Sequence, residues 1–394
     1  MPRRLARSIR PLPISLAVFG LAAGCSRASG DAVYRDPAFA SAPEWRVATD
    51  SGVMIGREDA GPKYQLFNVL SAVRRPDGAI VVGDGTGELR FYDASGRFVH
   101  AVGRKGRGPG EFQIPDLLVL IHGDSLAVWD GSQDRVSVFD SAGVLGRTVE
   151  PRFERGYFPN VVAIFAGGGL AVKTGSNARA MAQRSGMVPD SAGFGVLGPD
   201  GAMVRDLGRV AVGNVYVTHA GNMYSWSTPP FGRELYTAGS PAALYVADGG
   251  TNRISIYAPD GRQVGTIEGP FAPRPVTSAD LRRLKKEKLD QATDPARHAL
   301  LEQGLNRTPA PDRTPSIGAV AADRDGLVWV QEYPRPGAAE VHWAVVHPDG
   351  RVAARVRLPR GWDIYQIGPD WLLAGSRDEN DVEHVHLLPL RRTR

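Results

Sequence analysis

The sequence predicts an all-β fold, a six-bladed β-propeller with a helical insertion between blades 4 and 5, and three observations carry that expectation. A unit of four short apolar strands recurs along the chain. Gly, Asp, Asn and Pro interrupt its apolar runs roughly every six to eight residues, the rhythm of strands rather than helices. Four of the units also carry a tight-turn signal near their end: Ser95-Gly96, Asp200-Gly201, Asp260-Gly261 and Asp349-Gly350.

Three copies of the unit read clearly: "GAIVVGDGTGELRFYDASGRFVHAVG" from Gly78, "DSLAVWDGSQDRVSVFDSAGVLGRTV" from Asp124 and "AALYVADGGTNRISIYAPDGRQVGTI" from Ala242. Weaker copies begin near Gly168, Asp325 and Asp370, and the third blade is distended. Six four-stranded units at this spacing make a propeller, because each sheet buries its faces against its neighbours around a ring. The last copy stops after three strands, so "EWRVATD", residues 44–50, is expected to supply the fourth and close the ring.

The stretches "GRKGRGPGEF" and "YVADGGTNRISIYAPDG" resemble those of NHL-type six-bladed propellers, and among them bacterial six-bladed propeller lipoproteins. The resemblance runs from about Trp45 to Leu390. Blade 1 departs from its siblings in having Glu88 where they carry Arg135 and Arg253. The resemblance implies a lipid-anchored envelope protein, and related propellers that use axial metals supply an alternative, an enzyme of lactonase or lyase type.

Residues 103–112 hold four glycines and three cations, which invites a phosphate-cradle reading. The context opposes it. Pro109 removes an N–H where donors are needed, Glu111 adds a repelling charge, and a strand rather than a helix follows. The glycines are expected instead to carry the chain from one blade to the next, with Phe112 buried between blades.

The chain begins with a basic stretch and a short apolar run ending Leu21-Ala22-Ala23-Gly24-Cys25. This reads as a signal peptide over residues 1–24, a lipid-modified Cys25 and a flexible tether over 25–43, followed by the propeller at 44–394. Cys25 is the sole cysteine, so no intrachain disulfide and no cysteine-based zinc site can form. The formal charge is +5, but Arg3, Arg4, Arg7 and Arg10 precede any acid, and from Cys25 onward about one net positive charge remains. That gives no electrostatic case for nucleic acid. The expected location is the bacterial cell envelope, facing the periplasm or exterior, as a monomer held to the membrane through its lipid alone.

With strands lettered a to d from axis to rim, the a–b and c–d turns share one face and are short. The long insertions fall on the other: b–c segments at 174–193, 331–341 and 376–382, and d–a segments at 209–230 and 271–315. Long loops on a rigid scaffold carry binding, so the b–c/d–a face is the expected working face. Thr277 and Asp280 have capping-box spacing and Leu281, Leu284 and Leu289 share a stripe, so 271–315 should be helical, either a lid or a rim clamp.

At this face the b strands end in Asp84, Asp130, Thr174, Asp248, Glu332 and Ser376. Asp84, Asp130, Asp248 and Glu332 could ring a divalent cation. The favoured alternative has each carboxylate tying its own turn, with Asp130 and Asp248 paired to Arg135 and Arg253. His384 and His386 face one side of a third strand and read as surface residues. No catalytic constellation is present and no cofactor is required. Tyr224, Trp226, Arg233, Tyr333, Arg335 and Arg377 are the ligand-contact candidates, and the leading function is a binding scaffold for an envelope protein, peptide or glycan. A structural subunit of an envelope assembly is the third reading.

Overall fold

The computed structural model describes residues 34–35, 37–57, 61–122, 124–152, 159–175, 186–220, 223–292 and 294–393, with backbone alone for 218–220, 223–226, 296–297 and 300. The segment expected as a signal peptide, residues 1–24, and Cys25 lie outside them. Six antiparallel sheets follow one another along the chain. Blade 1 is Ser71–Arg74, Ile80–Gly83, Leu89–Tyr92 and Phe98–Val102. Blade 2 is Pro115–Ile121, Ser125–Asp130, Arg135–Phe139 and Leu145–Val149. Blade 4 is Leu235–Gly239, Leu244–Asp248, Arg253–Tyr257 and Gln263–Glu268. Blade 5 is Ile317–Ala322, Val328–Glu332, Glu340–Val346 and Val352–Pro359.

The c–d turns explain why the short repeat signals suffice. In blades 1 and 2 an aspartate, Asp93 or Asp140, accepts two backbone N–H bonds from the residues it turns over. The following glycine, Gly96 or Gly143, takes a positive φ near 81°. A side-chain acceptor and one left-handed glycine fix the hairpin, and the strand alternation fixes which face is buried.

Six apolar clusters lie between successive blades, and each draws side chains from both. Phe112 and Phe139 fill the first junction, with ring centroids 5.9 Å apart. Trp329 and Trp343 of blade 5 pack against Leu372, Ala374 and Leu388 of blade 6. The core is thus a ring of inter-sheet layers around a narrow axial cavity of about 250 Å³, lined by inner strands such as Leu118, Ala163, Ala238 and Ala321.

Blade 6 is Asp363–Ile367, Trp371–Arg377 and Glu383–Arg391, and its outer strand comes from the other end of the chain in two pieces. Arg46–Val47 pairs with Arg391 and Leu390, and Val53–Ile55 pairs with Leu387 to Val385. The expected closing segment, 44–50, thus contributes only the shorter piece. Gly52 and Gly56 flank the second piece with φ of 116° and 105°, and a Cβ on either would collide with a carbonyl of strand Glu383–Arg391.

The expected tether is packed over its described part. Tyr34 stacks on Phe271 at 5.2 Å, and Phe39 of the short helix α1, Pro37–Ala40, joins the cluster between blades 4 and 5. Trp45 lies under the Arg392 guanidinium and donates to the Thr393 carbonyl at 3.1 Å.

Blade 3 departs most from expectation. Its strands are Asn160–Ile164, Leu170–Lys173, Gly186–Leu197 and Met203–Ala220, with Met223–Ser227 added as a fifth. The segments at 174–193 and 209–230, read as two separate insertions, contribute instead to one long hairpin arm pairing Gly186 with Val217 at its far end. The run Val210-Ala211-Val212 followed by Val215-Tyr216-Val217 carries the alternation that builds it.

The insertion between blades 4 and 5 is a helical hairpin, α2 over Ser278–Asp290 and α3 over Pro295–Arg307. Thr277 caps α2 with both bonds of the capping box in place, at 3.1 and 3.0 Å. Lys285 joins the helices, reaching Glu302 and Asn306. No residue of α2 is fully buried, and Leu281, Leu284 and Leu289 are each half-buried.

Candidate functional site

The acids at the b-strand ends have a common task, and it is not to face one another. Asp84 and Asp130 are both essentially unexposed. Asp130 accepts from Ser132 in its own turn, and also from Gln113 and Ile114 of the crossing that enters blade 2, at 2.6 and 3.3 Å. Asp84 repeats this in blade 1 with Thr86 and Phe67. Asp248 takes the Arg233 guanidinium, and Glu332 takes Arg274 at 2.7 Å. Each carboxylate ties its own turn or anchors the segment arriving from the preceding blade. Among the described residues, no three His, Cys, Asp or Glu side chains are grouped to hold a metal.

The expected arginine partners are replaced. Asp130 and Arg135 are cross-strand neighbours, yet Arg135 donates to the carbonyls of Arg107 and Gly108 at 3.0 and 2.7 Å. Acid and guanidinium therefore grip the same crossing from both polarities, one taking its N–H groups and the other its carbonyls. For Asp248 the partner is Arg233, not Arg253. In blade 1, Arg90 does the work, 3.7 Å from Asp84 and donating to the Gln65 carbonyl at 2.6 Å.

The glycine-rich crossing carries its own anion. Glu111 accepts from the Gly108 N–H at 2.7 Å and pairs with Arg104 at 2.6 Å, and these contacts hold its carboxyl below the usual range, the backbone bond first. Lys105 donates to the Gly85 and Gln113 carbonyls. A loop whose Gly108 amide, Arg104 and Lys105 already serve internal oxygens is a turn device, not a phosphate cradle.

The ligand-contact candidates do not form one cluster. Tyr224 and Trp226 sit on the fifth strand of blade 3, and their side chains lie outside the described residues. Arg233 is committed to Asp248. Tyr333 packs 6.1 Å from Phe231, and burial, with Glu234 adding to it, pushes its hydroxyl up to about 12. Arg335 is half-buried in the b–c loop of blade 5. Arg377 pairs with Glu383 at 2.6 Å and Asp381 at 3.3 Å and borders a cavity.

That cavity belongs to the junction of blades 5 and 6. A space of about 670 Å³ opens there between Gln331 and Trp343 on one side and Trp362 and Tyr365 on the other. A second space of about 260 Å³ continues from it toward Ser376, Arg377, Glu383 and His384. The two share Val69, Arg360, Trp362, Asp363 and Tyr365 in their walls. Water reaches Asp363, but protein encloses it on most sides. That desolvation raises its carboxyl, with Arg377 opposing and Glu383 adding. Burial, followed by the Asp363 and Glu383 charges, raises Tyr365.

The helical insertion reaches this junction. Glu287 of α2 receives both terminal nitrogens of Arg360, at 3.1 and 2.8 Å, and a bond from the Gly337 N–H in the b–c loop of blade 5. Arg360, Trp362, Asp363 and Tyr365 were not singled out from the sequence. The only signal was an aromatic and a charge packed into the three-residue crossing at 360–362 and the start of the next strand.

His384 and His386 do share a side, but neither is a free surface residue. His384 bonds the Gly56 carbonyl through Nδ1 at 2.7 Å. His386 lies 2.9 Å from Ser376 Oγ and stacks on Trp362 at 4.7 Å. Burial, with His384 beside it, lowers His386 to about 4, so its ring is neutral near pH 7.

Residues 63–148 match the family model described as 6-bladed beta-propeller, DUF5128. No curated protein matches the chain. Among solved structures, the chain is similar at 13% identity to a Bacteroides fragilis protein named as an exported one, covering 89% of this chain and 99% of that one, with a TM-score of 0.46. A DUF4221 member from Bacteroides vulgatus shares 9% identity over 89% and 99% of the two chains, with a TM-score of 0.47. A calcium-binding protein, regucalcin, from Agrobacterium tumefaciens shares 16% over 89% and 97%, with a TM-score of 0.41. The closed succession of six sheets, joined to the family match, defines the architecture: the chain is a six-bladed β-propeller.

Proposed function

We propose that this protein is a ligand-binding propeller of the bacterial envelope, of the NHL type, anchored through a lipid on Cys25 and presenting its b–c/d–a face to a protein, peptide or glycan. The observation that carries this reading is the pair of connected cavities at the junction of blades 5 and 6. They open on the face that also bears the blade 3 arm and the helical hairpin. Their walls mix indole and phenol rings with a few charged groups, the composition of a small-ligand site. The acids that would have ringed an axial cation are each engaged with a turn or crossing, which gives the binding reading more support than the lactonase or lyase one.

Screening full-length protein against immobilised glycans and peptides tests it. Trp362→Ala and Arg377→Gln should each weaken capture about tenfold or more, consistent with loss of a stacked ring or a charged contact. Enlarging the c–d turn at Ser95-Gly96 should leave capture intact. Capture that survives both cavity substitutions and fails with the turn insertion would assign the opposite face.

A further inference from the structure

Arg360 stands at the meeting point of three elements. It leaves the outer strand of blade 5, borders both cavities, and offers its guanidinium fork to a carboxylate that comes from an inserted helix. The pair is bidentate, the geometry in which arginine recognises a planar acid most specifically. Both side chains are about one-third exposed or less, 32% for Arg360 and 26% for Glu287. The contact is therefore reachable, and α2 has no fully buried residue to hold it down by packing. Glu287 occupies a position that a ligand acid would occupy.

A second feature points to a ligand rich in oxygen. Trp343 borders the larger cavity at 3% exposure, with its Nε1–H enclosed by protein. Trp362 and Tyr365 add flat apolar rings, and Gln331 and Asp363 add groups that bond hydroxyls. Rings beside hydroxyl-bonding groups suit pyranose units better than an extended peptide.

We propose that the cavity between blades 5 and 6 is a site for an acidic oligosaccharide, whose carboxylate takes Arg360 from Glu287 and so releases the helical insertion. The proposal rests on the binding function given above and deepens it. Glu287 is then a latch. It keeps the Arg360 charge paired while the site is empty, and it competes with the ligand for the same fork. Neutral sugars gain nothing from Arg360, so the latch also selects against them. The insertion is neither a fixed lid nor a rim clamp but a segment whose closed state is favoured only without ligand.

The experiment uses full-length protein and three probes: trigalacturonate, neutral galactotriose and trialanine with a free carboxyl terminus. Calorimetry measures affinity, and hydrogen exchange follows residues 278–290. The wild type should bind trigalacturonate at least tenfold tighter than galactotriose, and that probe should raise exchange in 278–290. Glu287→Gln should bind it several-fold tighter and show raised exchange without any probe. Arg360→Gln should bring the acidic-to-neutral preference close to one, with circular dichroism confirming an intact sheet. Equal binding of the acidic and neutral sugars in the wild type, still sensitive to Trp362→Ala, would overturn the latch while leaving the binding function standing. Preference for trialanine would overturn the sugar assignment. Failure of all three probes with both wild type and Glu287→Gln would overturn the proposal outright.

Discussion

Two crossings lie on the same face of the ring. Residues 103–114 lead from blade 1 to blade 2, and residues 360–362 lead from blade 5 to blade 6. The first has twelve residues and uses them to fill its own space. Phe112 plugs the junction, Glu111 satisfies the loop's amide and cation, and Asp130 and Arg135 grip its backbone. The second has three residues, too few to fill the gap they cross. Its junction keeps a cavity of about 670 Å³, and its arginine finds a carboxylate on an inserted helix. The difference teaches that a propeller leaves room for a candidate site where its crossing is too short to fill the junction. Where the crossing is long the junction is finished structure; where it is short the junction is open to another molecule.

The contrast can be broken at its strongest point first. Phe112→Ala should destabilise the ring by about 3–5 kcal/mol, the usual range for emptying a large buried aromatic site. A stability loss from urea unfolding, the midpoint shift multiplied by m, of less than one-third of that would mean the long crossing does not seal its junction. Next in size is Asp130→Ala, which leaves the N–H groups of Gln113, Ile114 and Ser132 without their acceptor. About 2–4 kcal/mol should be lost, because the half-buried Gln113 and Ile114 amides lose a charged acceptor. An unchanged midpoint would show that the carboxylate does not hold the crossing.

The smallest effect belongs to blade 6, beside the open junction, and depends on pH. His386 is lowered to about 4 by burial and by His384, so the unfolded chain binds its proton more readily than the folded one. Its contribution to stability is complete above the unfolded value near 6.5 and is lost as pH falls from there toward 4. The full linkage of that shift is about 3.4 kcal/mol, and solvent screening of the partly exposed ring reduces the expected loss to about 2 kcal/mol. His386→Asn should flatten that part of the stability-versus-pH curve, measured by urea unfolding at successive pH values. A wild-type curve already flat across the window would remove His386 as its cause.

The architecture was legible because it rests on local chemistry repeated many times. An aspartate two residues before a hairpin, a glycine with positive φ and alternating Val, Ile and Leu specify each blade almost independently. Two errors have the same origin in weak local signals. Val53–Ile55 is only three residues and follows a turn at 48–52, so nothing marks it as the larger piece of the closing strand. In blade 3, Gly213 interrupts the valine alternation and hides the long arm. The candidate site was less legible. Arg377 borders it, but Arg233 belongs to another junction, and the walls come from two blades whose separation no periodicity reports. Asp130 and Arg135 were placed correctly in register, while their partners lay in a crossing whose path the sequence does not specify.

The split outer strand of blade 6 has a consequence for how the molecule is made. Val53–Ile55 leaves the ribosome before any blade, and its partner, Val385 to Leu387, leaves after almost all of them. Through most of synthesis the early segment has no strand to pair with. Joining segments so far apart in sequence is entropically slow. Until it happens, blade 6 presents an open edge of the kind that invites pairing with another chain. Closure therefore acts as a check on chain completeness: a product that stops before residue 383 can build five blades but cannot close the ring.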